Sequence, residues 1–380
     1  VFSKILFALV LLCTASGCIR HQDEQGKTDR NFDTGINFYP EKTEVSYSKG
    51  FSVIYGNYWK LLTLHQPGNE KTFLLLQRGA PLPEEYKNDI NLDIIRIPVE
   101  RCASVSTTHL PMLEAIECLH TLKGFSAMEY LYNNEIKQEL QKAGTISTGT
   151  GGTVEEELLL SSQAEVNFSY AFENEAAGKK VGNITDIPVA EYLETHPLAA
   201  AEWIKFYSLF FNKEQQANTL FKNIEREYLN TLKLVKSMPA SNKKVFTGVA
   251  WKNTWPVPAG DSYTARLIED AGGIYVYAST ENKGNITLDV EQVIHDCFEA
   301  DIWLVVTYFN GNRSMDNFSK MDTRYTRFSA FKKGAVYACD LTEKDYFGKA
   351  ILEPHLLLKD LYCAIYGCTD YEPAYYSVLK

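Results

Sequence analysis

The stretch from Tyr192 to Lys236, YLETHPLAAAEWIKFYSLFFNKEQQANTLFKNIEREYLNTLKLVK, is the longest helix-compatible run in the chain and constrains everything around it. In its second part Leu220, Ile224, Tyr228 and Leu232 fall four apart, flanked by Ala217, Phe221 and Val235, which makes one apolar helical stripe opposite a charged face. Asn212 is placed to cap a fresh start there, with Glu214 in the first turn and Lys233 and Lys236 in the last, as the helix dipole prefers. From Lys213 to Lys236, a rise of ~1.5 Å per residue gives roughly 35 Å, enough to cross from one small domain to the next. An ordinary long surface helix is the alternative; the patterning on each side favours a rigid spine between two lobes.

With 380 residues the chain can bury two or three ordinary cores, and 45% hydrophobic with 23% charged residues is the balance of a globular protein. A net charge of -10 argues against a nucleic-acid or anionic-membrane surface. The 23 Tyr and 20 Phe suit a protein that binds something large and flat, although core packing uses most aromatics in any domain.

Near the amino terminus, Lys4 precedes an apolar run from Ile5 to Cys13, too short to span a bilayer and laid out as a signal peptide over residues 1–17. Thr14-Ala15-Ser16-Gly17-Cys18 resembles the lipobox of bacterial lipoproteins, with Ala15 where Leu is most usual, and implies acylation of Cys18 and an envelope location on the outer side of the membrane. A plain secretory signal is the alternative. Residues 18–45 are polar and aperiodic and read as a tether. Of the remaining cysteines, Cys363 and Cys368 are close enough to pair if a helix ends between them; Cys102, Cys118, Cys297 and Cys339 are left open between disulfides and free buried thiols.

Beyond the tether, Phe51–Tyr58, Lys60–His65 and Thr72–Gln77 read as a small β-meander, and Asp93–Val99 as a buried strand opening a βα unit with the helix around Leu110, Leu113, Ile116 and Leu119. Gly149, Gly151 and Gly152 invite a phosphate-loop reading, but no lysine with Ser or Thr follows them. A short helix from Val154 and a strand to Tyr170 come next. After the spine the rhythm is strand, loop, helix: Val245–Ala250, a Trp-rich loop, a helix from Tyr263 to Ala271, a buried strand Ile302–Thr307, a strand from Ala335 and a closing amphipathic helix before Gly367. This is the βαβ pattern of a parallel sheet covered by helices. The expected division is 46–190 for a first lobe with the added meander, 191–237 for the spine and 238–380 for a second lobe.

The order of RCASVSTTHLPMLEAIECLHTLKGFS, VEEELLLSSQAEVNF, the spine, PAGDSYTARLIEDAGGIYVY, LDVEQVIHDCFEADIWLV and EPHLLLKDLYCAIY resembles the periplasmic binding proteins of ABC importers that carry iron siderophores, haem or cobalamin. The resemblance covers about residues 90–370 and departs at Gln163-Ala164-Glu165, where the family usually has Lys-Pro-Asp, and in the meander. It implies an α/β fold of two Rossmann-like lobes with mostly parallel sheets, joined by one long helix, with ligand held between them and little movement about the stiff connection. It also implies a monomer that performs no chemistry, needs no cofactor and delivers its ligand to a permease in the membrane. By position in the family's motifs, Glu157 or its neighbour Glu156, and Glu291, match the glutamates that pair with permease arginines, a contact that sets orientation and rate; a solvated helix-start glutamate is the simpler account of each.

In open α/β sheets the ligand sits at the carboxyl ends of the strands. That nominates Ser104–His109 and Met128–Tyr132, with Tyr130 and Tyr132, from the first lobe, and Trp251, Trp255, Tyr263, Tyr308 and Arg324 from the second. Aromatic faces there would stack on a macrocycle or catechol, and an arginine would neutralise an anionic chelate. His109 is a candidate haem ligand against the commoner outcome of a buried histidine. Rival readings are an envelope enzyme, a free-metal binder and a sensor or scaffold; neither Gly-x-Ser-x-Gly nor His-Glu-x-x-His occurs, and the seven histidines are scattered.

Overall fold

The computed structural model describes residues 28–66, 69–131, 133–171, 179–309 and 311–380; the signal-peptide segment, Cys18 and Tyr132 lie outside them. A four-stranded sheet comes first, with β1 (Phe51–Tyr55), β2 (Trp59–Gln66) and β3 (Asn69–Gln77) as an antiparallel meander and β4 (Asp93–Ile97) parallel to β3. Residues 28–45 are not a free tether over this span. Asp29 N–H donates to the Gly79 carbonyl at 2.9 Å, Phe38 N–H to that of Asn57 at 2.8 Å, and Tyr39 is buried against the meander.

The first large sheet has six strands in the order β11-β12-β10-β5-β6-β7, where β5 is Cys102–Ser104, β6 Leu122–Phe125, β7 Ile146–Ser147, β10 Val166–Tyr170, β11 Lys180–Val181 and β12 Ile184–Val189. All pairings are parallel except β11 with β12. The opening strand of this lobe is therefore β5, and the run Asp93–Val99 belongs to the added sheet. Its burial alternates, with Ile94 exposed and Ile95 and Ile97 buried, as a one-face-covered strand does. Between β7 and β10 the strands β8 (Gly149–Thr150) and β9 (Thr153–Val154) form a hairpin turning on Gly151 and Gly152, with φ of +63° and +78°. Two positive φ values in a two-residue turn require glycine-like freedom, which accounts for the glycines without a phosphate. Helices α1 (His109–Ala115), α2 (Asn134–Ala143) and α3 (Glu156–Ser161) cross between strands.

The spine is two helices, α4 (Pro197–Phe211) and α5 (Glu214–Ser237). Every residue of α4 is buried, as a helix apolar on all sides must be. Its two charges pair internally: Lys205 donates to Glu202 at 2.7 Å, and Glu202 also accepts from the backbone N–H groups of Ser46, Tyr47 and Ser48 at 2.7–2.9 Å. Asn212 ends α4 in the left-handed region, at φ 54°, rather than capping α5, whose first turn starts from Lys213 with no side-chain cap. The fully buried Lys60 fastens this knuckle: its ammonium donates to the Leu209 carbonyl at 2.7 Å and to Asn212 Oδ1 at 2.9 Å, and pairs with Glu214. Burial pushes the Lys60 ammonium down to about 8 against the opposing pull of Glu214.

The second large sheet has the order β15-β13-β17-β18-β19, with β13 Lys244–Thr247, β15 Ile274–Tyr275, β17 Ile302–Thr307, β18 Val336–Asp340 and β19 Ser377–Val378; only β19 runs antiparallel. A small antiparallel pair, β14 (Thr254–Pro258) with β16 (Asn285–Asp289), sits beside it. Helices α6 (Tyr263–Asp270), α7 (Val290–Cys297), α8 (Met315–Met321), α9 (Ser329–Lys332), α10 (Tyr346–Lys349) and α11 (Pro354–Tyr366) complete the chain. The long α5 packs on α4 and α11, and Tyr228 on it donates to Asp270 at 2.7 Å, so the spine holds the second lobe by a buried hydrogen bond as well as by packing. Two mostly parallel sheets and one long connecting helix match the fold expected from the sequence. Cys363 and Cys368 form a disulfide across the end of α11, while Cys102, Cys118, Cys297 and Cys339 are buried free thiols.

Candidate functional site

Loops at the carboxyl ends of both parallel sheets enclose a cleft of two chambers that share Tyr346 and Phe347. The outer chamber, about 370 Å³, takes Thr107, Tyr130 and Asn133 from the first lobe, and Tyr308 and the segment 341–347 from the second. Tyr130 ends a helical turn that follows β6, and Tyr308 follows β17 directly; both rings are substantially exposed, facing the same space from opposite lobes. The segment after β18 is fixed by its own acids. Asp340 accepts from the Thr342 N–H and hydroxyl at 2.9 and 2.8 Å, and Asp345 accepts the Gly348 N–H at 3.0 Å at the start of α10. A Cβ on Gly348 would come within 2.4 Å of that carboxylate, so a larger residue there would have to displace the Asp345 side chain.

The inner chamber, about 210 Å³, lies between Glu191, Tyr192 and Glu194 on one side and Tyr263, Tyr346 and Leu357 on the other. Glu191 is 1% exposed and accepts from the Thr108 hydroxyl at 2.7 Å; burial pushes its carboxyl up. Behind it stands His109, fully buried, with Nδ1 2.9 Å from the Ser104 hydroxyl and Nε2 3.7 Å from Glu191. Ser104, His109 and Glu191 have the connectivity of a nucleophile relay, yet Ser104 has no exposed surface, so no substrate reaches it. Burial holds the His109 imidazole down to about 3, neutral in the fold.

The nominated residues divide accordingly. Tyr130, Tyr308 and Tyr263 line the cleft. His109 is a core histidine behind the inner wall, because α1 turns its ring towards Tyr207 and Tyr170 instead of the chamber. Trp255 corrects its nomination as a cleft residue: it is 0% exposed, its Nε1 donates to the Thr247 carbonyl at 3.1 Å, and its ring packs on Phe246, Trp303, Tyr325 and Phe328. The pair β14–β16 explains this, since it folds the Trp-rich stretch back over β13. Trp251 is 70% exposed on the loop after β13 and lines neither chamber. Arg324 is engaged elsewhere, its guanidinium donating to Asp322 at 2.6–3.1 Å and to the Lys252 carbonyl. Glu157 is exposed on α3. Glu291 is exposed on the first turn of α7, 3.3 Å from Arg327 beside a shallow hollow. Sequence reasoning missed the segment 341–347 and Glu191; the first was reachable by applying the strand-end rule to β18, the second carried no local signal.

A family model described as "Periplasmic binding protein" matches residues 119–342. Among curated proteins, an uncharacterized lipoprotein of Methanocaldococcus jannaschii is 24% identical, the alignment covering 94% of this chain and 92% of that one. Among solved structures, a periplasmic binding protein from Veillonella parvula superposes with a TM-score of 0.57 at 14% identity, covering 81% of this chain and 98% of that one. A periplasmic haem binding protein of Vibrio cholerae gives 0.53 at 15% identity over 70% and 98%. With more than half of its length matched to the family and the same two-lobed fold in its structural neighbours, this chain belongs to the periplasmic binding proteins, which bind and hand over a solute rather than transform it.

Proposed function

We propose that this protein is the lipid-anchored substrate-binding component of an ABC importer, capturing an iron complex, haem or a corrinoid on the outer side of the membrane and delivering it to the permease. The observation that carries this reading is the cleft itself, with Tyr130 and Tyr308 presented from opposite lobes at the strand ends of two parallel sheets. A flat or globular metal complex would be clasped between those rings. Supporting the ligand class are structural neighbours described as a haem binding protein and as part of an Fe3+-hydroxamate transport system. Supporting the anchor are the lipobox-like stretch ending in Cys18 and two relatives named lipoproteins. The division into lobes 46–190 and 238–380 about the spine 191–237 is the functional one in this reading. Trp251 is kept as a rim contact, and Glu157 and Glu291 as the permease contacts, one exposed carboxylate on each lobe.

The absorption spectrum of protein purified from its native membrane tests the ligand: a Soret band identifies haem, a corrin spectrum a corrinoid, and a charge-transfer band a ferric chelate. Failure to bind any of the three would end the proposal. Glu291→Lys is expected to reduce uptake with ligand affinity unchanged; a fall in affinity instead would place Glu291 in the cleft.

A further inference from the structure

The charge around the cleft is one-sided. Its outer chamber presents Glu343 and Asp345 with a single ammonium, Lys344, and its inner chamber adds Glu191 and Glu194 with no cation. Arg324, the guanidinium best placed in sequence to receive an anion, is already held by Asp322. The internal residues outside the described ones, 67–68, 132, 172–178 and 310, include no lysine or arginine in their sequence. A second feature points to what the floor receives. Glu191 is 99% buried, and its Oε2 has no hydrogen-bond partner; the Tyr263 hydroxyl, in the same lining, is buried and has none either. Buried polar atoms left in this state are completed by a water or by a ligand. A donor brought by the ligand would also stabilise the ionised carboxylate that burial disfavours.

We infer that the cleft selects metal complexes carrying no net negative charge, neutral or cationic ones with hydrogen-bond donors on their periphery, and that Glu191 is the specificity-determining residue at its floor. This rests on the importer reading above and narrows it: tris-catecholate chelates and the dicarboxylate haem fall on the disfavoured side, hydroxamate chelates and corrinoids on the favoured one.

The test titrates the full protein by intrinsic fluorescence with a neutral ferric tris-hydroxamate, a cationic one, cyanocobalamin, haem and a ferric tris-catecholate, at low and high salt. At least one non-anionic complex should bind about 100-fold more tightly than the trianion at low salt, with the gap narrowing at high salt. Which non-anionic complex binds separates a chelate from a corrinoid. Glu191→Gln should shrink the gap about tenfold with the affinity of the non-anionic complex falling. Glu343→Gln, on an exposed position, should shrink it less while leaving the fold untouched. If the trianion binds as tightly as the others, the charge inference is overturned and the importer reading stands. If none of the five binds, both are overturned.

Discussion

Around the first sheet the chain buries charge: Lys60 with Glu214, Lys205 with Glu202, and His109 beside Glu191. At the heart of the second it buries aromatic rings, with Trp303 touching Phe246, Trp255, Phe318, Tyr325 and Phe328 at centroid distances of 4.9–5.7 Å. The two interiors solve the same problem, holding cleft loops still, by different physics. Directional bonds fix the angle of α4 and α5 at the Lys60 knuckle, at the cost of desolvating ions. Ring packing fixes β13 and its following loop by volume, and the polar tips do the aiming: Trp303 Nε1 donates to the Gly248 carbonyl at 2.9 Å, and Tyr325 accepts the Ala250 N–H at 2.9 Å. The contrast teaches that the Lys60 knuckle should respond to isosteric charge removal and the Trp303 cluster mainly to lost volume.

The largest effect is expected at Trp303→Ala, which removes the hub of the ring cluster and should lower unfolding free energy towards the upper end of about 3–5 kcal/mol in denaturant titration. A loss under about 1 kcal/mol would mean the rings are filler and the contrast is false. Next comes Lys60→Met, which strands Glu214 and should cost about 3 kcal/mol, most of it recovered in Lys60→Met with Glu214→Leu. No recovery in the double variant would show that hydrogen bonds to Leu209 and Asn212, rather than charge pairing, hold the knuckle. Replacing both Cys363 and Cys368 by serine opens only a short loop and should cost about 2 kcal/mol, read as a lowered melting temperature. The smallest, taken per pH unit, is a slope. His109 is depressed from 6.5 to about 3 in the fold, so the unfolded chain takes up the proton first as acid is added. Stability is therefore lost as pH falls from about 6.5 to about 3, by up to ~1.4 kcal/mol per pH unit. His109→Gln should flatten that limb; measurement in a Glu191→Gln background removes the opposing effect of a carboxyl whose proton is held more tightly folded than unfolded.

Much of this was legible in the chain. The strand Ile302–Thr307 is apolar from Ile302 to Val306 because it lies inside a parallel sheet with both faces covered, and α5 shows its stripe because one side meets α4 and α11. Where local pattern and tertiary context part, the reading failed. Asp93–Val99 has the composition of a lobe strand but lies in the added sheet, and the shorter Cys102–Ser104 takes its place. Trp255 sits in a loop-like sequence that a distant strand, Asn285–Asp289, pulls into the core. Glu191 is one of many glutamates in sequence; only its enclosure by Thr108, His109 and the second lobe marks it.

The wrapping of residues 28–45 onto the meander has a mechanical outcome for the proposed anchor. If acylation is at Cys18, the covalent path from lipid to the first described residue, Thr28, is ten residues. Fully stretched that is at most about 35 Å. In the proposed anchored state such a leash would keep the cleft near the bilayer surface, and capture and delivery would become a matter of reorientation close to the membrane rather than of travel.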